Sequence, residues 1–154
     1  MLRDTISGRG GQQKFKQDPI TGVLLYYDQS RSVYLSTDRE TFTFGFPHKN
    51  IKHPVWMLLT GKVNSLTNGY LVPRDGAITC LAVSSKNITT NCIFRIRSNT
   101  SGPDITTITL NGSSTTIQES LNININKGDY LRVFMDVISG KVDYPEISIE
   151  FAWR

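Results

Sequence analysis

The last third of the chain alternates apolar and polar residues almost without error. Leu121, Ile123 and Ile125 alternate with Asn122, Asn124 and Asn126. After Lys127-Gly128-Asp129, the residues Leu131, Val133, Met135 and Val137 share one parity, and Ile147, Ile149, Phe151 and Trp153 then alternate with Ser148, Glu150, Ala152 and Arg154. A period of two predicts strands with one buried and one wet face. The alternation runs to the last residues given, so the expectation is that no catalytic loop or helix follows it.

The same reading extends upstream. Strands are predicted over 55–62, 70–72, 77–84, 91–97, 105–110, 115–125, 130–138 and 146–153. Between them lie turn signals: Asn68-Gly69, Asp75-Gly76, Ser101-Gly102-Pro103, Asn111-Gly112, Lys127-Gly128-Asp129 and Ser139-Gly140. No stretch sustains a helical period. About eight strands at intervals of about 8–12 residues predict an all-β antiparallel sandwich over 55–154. The pattern leaves a jelly roll and an immunoglobulin-like Greek key open. No Trp lies between the two cysteines, which speaks against the second.

Residues 1–54 have another texture and read as an extended N-terminal arm. Residues 1–18 are polar, basic and rich in Gly and Gln, with Phe15 as their one aromatic. Three short strand-like pieces follow at 23–27, 32–36 and 41–46, with Asp28-Gln29-Ser30-Arg31 as a turn between the first two. They predict a short hairpin or meander, which needs something to pack on. Pro47 and Pro54 bracket an extended connector, 48–53.

Charge and cysteine usage narrow the setting. The 154 residues carry a net charge of +4, and Arg3, Arg9, Lys14 and Lys16 against Asp4 place +3 of it in the first sixteen. Such a segment reads first as a mobile terminus; as a contact it suits an acidic protein surface, with nucleic acid the less favoured partner. No apolar run approaches a membrane-spanning length. Met1-Leu2-Arg3-Asp4 has no h-region, so no signal peptide is expected. The Asn87, Asn99 and Asn111 sequons are therefore read as polar surface. In a hairpin about Lys86, Cys80 and Cys92 would sit opposite each other. That permits a disulfide, although two reduced small hydrophobes fit the missing leader better.

Candidate chemistry is sparse. There is no phosphate loop, zinc-type cysteine cluster or nucleophile elbow. His48 and His53 read as connector residues, with no metal assigned. Asp75 and Asp129 sit beside glycines in turns, where they serve local amides. Asp136 is expected to pair with Arg132 on an outward face. No catalytic residue and no cofactor is assigned, and the chain reads as a non-enzyme. Tyr70, Tyr130 and Tyr144, near strand ends, are candidate contacts for a glycan.

The stretch Gly69-Tyr70-Leu71-Val72-Pro73-Arg74-Asp75-Gly76-Ala77-Ile78-Thr79 is followed some fifty residues later by Lys127-Gly128-Asp129-Tyr130-Leu131-Arg132-Val133 and then by Tyr144-Pro145-Glu146-Ile147-Ser148-Ile149-Glu150-Phe151. Together they resemble tailed-bacteriophage virion structural proteins whose jelly roll is similar to tumour-necrosis-factor and complement-globular-head modules. The resemblance covers about residues 56–154. It implies a non-enzymatic homotrimer displayed on a virion as a capsid decoration, head fibre, or neck or tail appendage. It also implies attachment by the N-terminal arm to major capsid or neck/tail proteins. The arm's anchors would be Phe15, Leu24, Tyr26, Tyr34, Phe42, Phe44 and Phe46, with Arg3, Arg9, Lys14 and Lys16 meeting acidic surface. The alternative use of the same fold is a lectin-like receptor-binding module for host surface glycan.

Overall fold

A computed structural model of the chain describes residues 14–20, 22–29, 32–59, 69–89, 91–99 and 102–153. In chain order the strands are β1 (Phe15–Gln17), β2 (Leu24–Asp28), β3 (Val33–Ser36), β4 (Arg39–Gly45), β5 (Val55–Trp56), β6 (Leu58–Leu59), β7 (Tyr70–Leu71) and β8 (Gly76–Ser84). They continue as β9 (Asn87–Ile88), β10 (Asn91–Ser98), β11 (Asp104–Asn111), β12 (Thr115–Gln118), β13 (Ile123–Ile125), β14 (Tyr130–Val137), β15 (Val142–Asp143) and β16 (Glu146–Trp153). The described residues contain no helix.

The pairings nest, first with last and inward. β4 pairs β16, β5 and β7 pair β14, β8 pairs β12 and β13, and β10 pairs β11, all antiparallel. Cross-pairs β16–β8 and β14–β10 complete two sheets, of order β12-β8-β16-β4-β6 and β11-β10-β14-β5. A long antiparallel hairpin rolled on itself in this way is a jelly roll, as expected. The described residues from 55 on hold twelve strands against the expected eight, because two predicted strands break and the short β9 and β15 were not foreseen. The segment read as 55–62 leaves one sheet as β5 and enters the other as β6, with Met57 fully buried at the crossing. The segment read as 115–125 breaks between β12 and β13, opposite Thr79.

Thr79 explains that break. Cys80 pairs with Glu150 and Ile78 with Phe151, so Thr79 is an extra residue in β8, a β-bulge. Its carbonyl accepts the Leu121 N–H from the β12–β13 break at 3.1 Å. An extra residue reverses side-chain parity. Ile78 and Leu81, three apart, therefore both enter the core, and Cys80 faces outward. Strict alternation along 77–84 predicts Ile78, Cys80 and Ala82 on one face, and the bulge corrects it. Cys80 and Cys92 lie in different sheets and neither forms a disulfide, so the hairpin geometry for one does not exist. Cys92 is fully buried, and burial, with Asp136 nearby, pushes its thiol up to about 12.

The core lies between the sheets and is built from the predicted parities: Leu131, Val133 and Met135 against Ile147, Ile149, Phe151 and Trp153. Phe44 also belongs to it, at 1% exposure. β4 runs beside β16 from Gly45↔Glu146 to Arg39↔Ala152, inside the sheet. The expected domain boundary at residue 54 thus falls within the sandwich, and the segment apart from it ends before Arg39. Thr41–Phe46 alternates just as the later strands do, but its partner is a hundred residues away in sequence, and no local signal reveals that pairing.

Three loops at the β16 entry end are tied by one carboxylate. Asp143 Oδ1 accepts the Asn50 N–H at 2.7 Å, Oδ2 accepts Asn87 Nδ2 at 3.1 Å, and its own carbonyl accepts the Lys86 N–H at 3.0 Å. The Asn50 and Asn87 bonds, helped by Lys141 and Lys49, hold this carboxyl below the usual Asp range.

The packing makes three outcomes testable. A folded-state pKa below the unfolded value of about 3.9 stabilises the fold fully above that pH and stops doing so as pH falls through the lowered value. Asp143→Ala should therefore lower Tm at neutral pH and flatten the acid side of the Tm–pH curve. Deleting 1–37 should leave a cooperative melting transition, whereas deleting 1–54 removes β4 and should abolish it. Phe44→Ala alone should cost about 3–5 kcal/mol in urea unfolding.

Candidate functional site

The sequence reading places function in the N-terminal region. Its described part is the three-stranded sheet β1-β2-β3, an antiparallel meander. β1 was not foreseen, because Phe15–Gln17 sits in a stretch read only as polar and basic. Register puts Phe15, Tyr26 and Leu35 in one cross-strand row. Exposure rises along that row: Leu35 is 0% exposed, Tyr26 is half-buried, and Phe15 is 48% exposed. The sandwich thus covers β3 and leaves β1 as the outer edge. Leu24, diagonal to Phe15 on the same face, is 51% exposed, and Ile20 in the β1–β2 turn is 93% exposed.

The root of the meander is polar. Arg39 Nη2 donates to the Tyr26 hydroxyl, and Arg39 Nη1 donates to Glu150 Oε1 and, at 3.2 Å, to Thr79 Oγ1. Thr79 Oγ1 in turn donates to the same Glu150 carboxylate. Burial opposes the Arg39 charge, but Glu150 and Tyr26 outweigh it and raise its pKa. The Trp153 N–H donates to the Asp38 carbonyl at 3.0 Å, a second tie between meander and β16. Arg39 was not singled out in the sequence. Its only signal there is position, as the charged residue opening a strand that closes the sheet.

The expected anchors divide into three groups. Phe15 and Leu24 are displayed, beside exposed Lys14 and Lys16. Tyr26 and Tyr34 are half-buried: Tyr26 is held by Arg39, and Tyr34 meets Tyr27 edge-on at 5.1 Å, with Lys16 Nζ 4.0 Å from its ring centroid. Phe44 is buried in the sandwich core, and Phe42 and Phe46 are half-buried against it, so these three pack on the sandwich and not on the displayed face of the meander. Arg3 and Arg9 lie outside the described residues.

The three tyrosines do not converge. Tyr70 pairs with buried Leu131 and points inward, its ring 3.9 Å from that of Phe42. Burial raises its hydroxyl pKa, and Glu40 adds to that. Tyr130 pairs with exposed Leu71 and points outward at 43% exposure. Tyr144 stands at the far end of β16, beside a cavity of about 390 Å³ lined by residues including Thr43, Gly45, Leu58, Tyr144 and Glu146. Along β16 the Glu146 of this cavity lies four residues from Glu150 at the meander root and seven from Trp153, roughly 13 and 23 Å.

The remaining polar candidates serve structure. Asp75 Oδ1 accepts the Lys127 N–H, and Asp129 accepts the Asn126 N–H and Asn99 Nδ2. Asp136 pairs with Arg95 at 3.1 Å, not with Arg132, whose guanidinium donates to the Asn99 carbonyl. Arg95 and Arg97 share Asp104; burial raises that carboxyl's pKa, but the two guanidinium groups outweigh it and lower it. Trp56 and Phe134 pack with tilted rings 5.0 Å apart on the outer face of this sheet, with Arg132 and Arg97 against the Trp56 ring. His48 and His53 are exposed, with His48 packing on Phe46. Among the described residues no group of three or more His, Cys, Asp or Glu is arranged to hold a metal ion. No described helix is long and apolar enough to cross a membrane.

No family model and no curated protein matches the chain. Among solved structures it is similar to PRD1 vertex protein P5, at a TM-score of 0.46 and 13% identity, over 97% of this chain and 91% of that one. The jelly-roll assignment above stands on the strand pairings themselves.

Arg39→Met should loosen the meander while sparing the sandwich. Amide exchange in β2 and β3 should accelerate about five- to 150-fold, for a local loss of about 1–3 kcal/mol, with core amides of β14 unchanged.

Proposed function

We propose that the protein is a non-enzymatic structural component of a bacteriophage virion, a trimeric capsid decoration or appendage docked on the particle through its N-terminal meander. The observation that carries this reading is the displayed face of β1–β2. Phe15, Ile20 and Leu24 expose apolar surface on a sheet whose β3 side is buried and whose β2 is held by Arg39 through Tyr26. Exposed Phe and Leu beside Lys14 and Lys16 match a partner with an apolar, acid-rimmed patch. Among the described residues β1 pairs only with β2, so its outer edge is also open to strand addition by a partner. The three sequence stretches that resemble phage virion proteins supply the setting: major capsid or neck/tail proteins as the partner, the virion as the location.

Trimer formation draws on the outer face of the sheet β11-β10-β14-β5. Trp56 and Phe134, interleaved with Arg97, have the composition of interface anchors. The meander, on this account, faces the particle and the opposite end of the jelly roll faces outward.

Co-sedimentation of the purified protein with particles lacking it tests the docking. Phe15→Asp with Leu24→Asp should weaken binding at least about tenfold with an unchanged circular-dichroism spectrum. Full binding by that variant, or by a chain deleted of 1–37, contradicts the reading. Light scattering should give a trimer mass that falls to the protomer in Trp56→Ala.

A further inference from the structure

We propose that the cavity at the Tyr144 end of the sandwich is a binding site for a neutral saccharide, at the level of a mono- or disaccharide. This goes beyond the docking reading and does not rest on it, since the site and the meander occupy opposite ends of β16.

A missing side chain makes the site. Across the sheet, Leu58, Gly45, Glu146 and Ser84 form one row. Gly45 leaves a gap in that row between an apolar residue and a carboxylate. A Cβ placed on Gly45 meets nothing closer than the Pro145 carbonyl at 3.7 Å. The backbone therefore does not demand glycine here, and a Cβ would fit the gap with an ordinary contact. Phe46, Pro47 and Pro145 wall it, and the Phe46 N–H donates to the Pro145 carbonyl at 3.1 Å, fixing the two turns against each other.

Tyr144 supplies the ring. It holds a left-handed backbone, φ +48°, which a bulky residue adopts only under constraint. Its N–H donates to the His48 carbonyl at 2.9 Å, and Lys49 Nζ lies 5.8 Å from its ring centroid. The turn is thus braced while the ring stays 39% exposed beside the cavity. Asn or Gly would satisfy such a turn without strain, so the ring is an addition that the turn itself does not require.

The lining combines what a pyranose presents. Its flat C–H face suits Tyr144 and the prolines, and its hydroxyls suit the acceptor oxygens of Glu146 and the Thr43 hydroxyl, which already bonds Ser148 at 3.1 Å. A volume of about 390 Å³ lies at the small end of ligand pockets and excludes a long buried chain.

The test is titration of the full chain with glucose, galactose, mannose and N-acetylglucosamine, read by amide chemical shifts, with sorbitol as an acyclic control. At least one sugar should give saturating shifts at Thr43, Leu58 and Glu146, and sorbitol should give none. Gly45→Leu, which fills the gap, and Tyr144→Asn, which keeps the turn and removes the ring, should each weaken binding at least about tenfold. The rest of the amide spectrum should be unchanged. Absence of saturating shifts at these residues, equal response to sorbitol, or undiminished binding in Gly45→Leu overturns the proposal. None of these outcomes alters particle docking, which the Phe15 and Leu24 variants report separately.

Discussion

The Arg39 guanidinium joins the parts of this molecule. It reaches Tyr26 on the meander and Glu150 and Thr79 on the sandwich, so three elements far apart in sequence meet at one partly buried charge. That meeting depends on the β-bulge. Without an extra residue at Thr79, its hydroxyl would not turn toward Glu150, and the parity of Ile78 relative to Leu81 would fail. Core packing and meander attachment therefore share a single irregularity. A short three-stranded sheet is marginal by itself, and here Leu35 in the sandwich interface and the Arg39 cluster make it a fixed platform.

The distribution of surface follows from this. With β3 covered and β1 outermost, Phe15, Ile20 and Leu24 stay exposed at the meander, while the aromatic residues of β4 turn into or against the core. The opposite end is organised by Asp143, which ties the loops at Asn50, Lys86 and Asn87 and so steadies the turns around Tyr144. Two ends, separately braced, give the chain two surfaces that can act independently.

Much of the sandwich was legible in the sequence because its signal is local. Leu131, Val133 and Met135, like Ile147, Ile149 and Phe151, alternate on strands that are regular in the structure, and turn residues mark their ends. What was illegible is non-local or irregular. Nothing near Phe44 says that its partner is Ile147, so the strand was assigned to the arm. One inserted residue at Thr79 reversed the face of Cys80 and removed the basis for pairing it with Cys92. Tyr70 and Tyr130 look equivalent as strand-end tyrosines, yet register turns one inward and the other out. The site residues suffer most, since a docking or binding surface is defined by which faces remain uncovered, and that is settled only when the elements pack.

The central claim concerns orientation, with the meander toward the particle and the Tyr144 end outward. Electron cryo-microscopy of particles carrying the protein tests it most directly. The account predicts threefold density for the jelly roll, with β1 and β2 contacting the capsid, neck or tail surface and the Gly45–Tyr144 cavity facing solvent. Density with the Tyr144 end against the particle and β1 in solvent, or particles devoid of the protein, would contradict it.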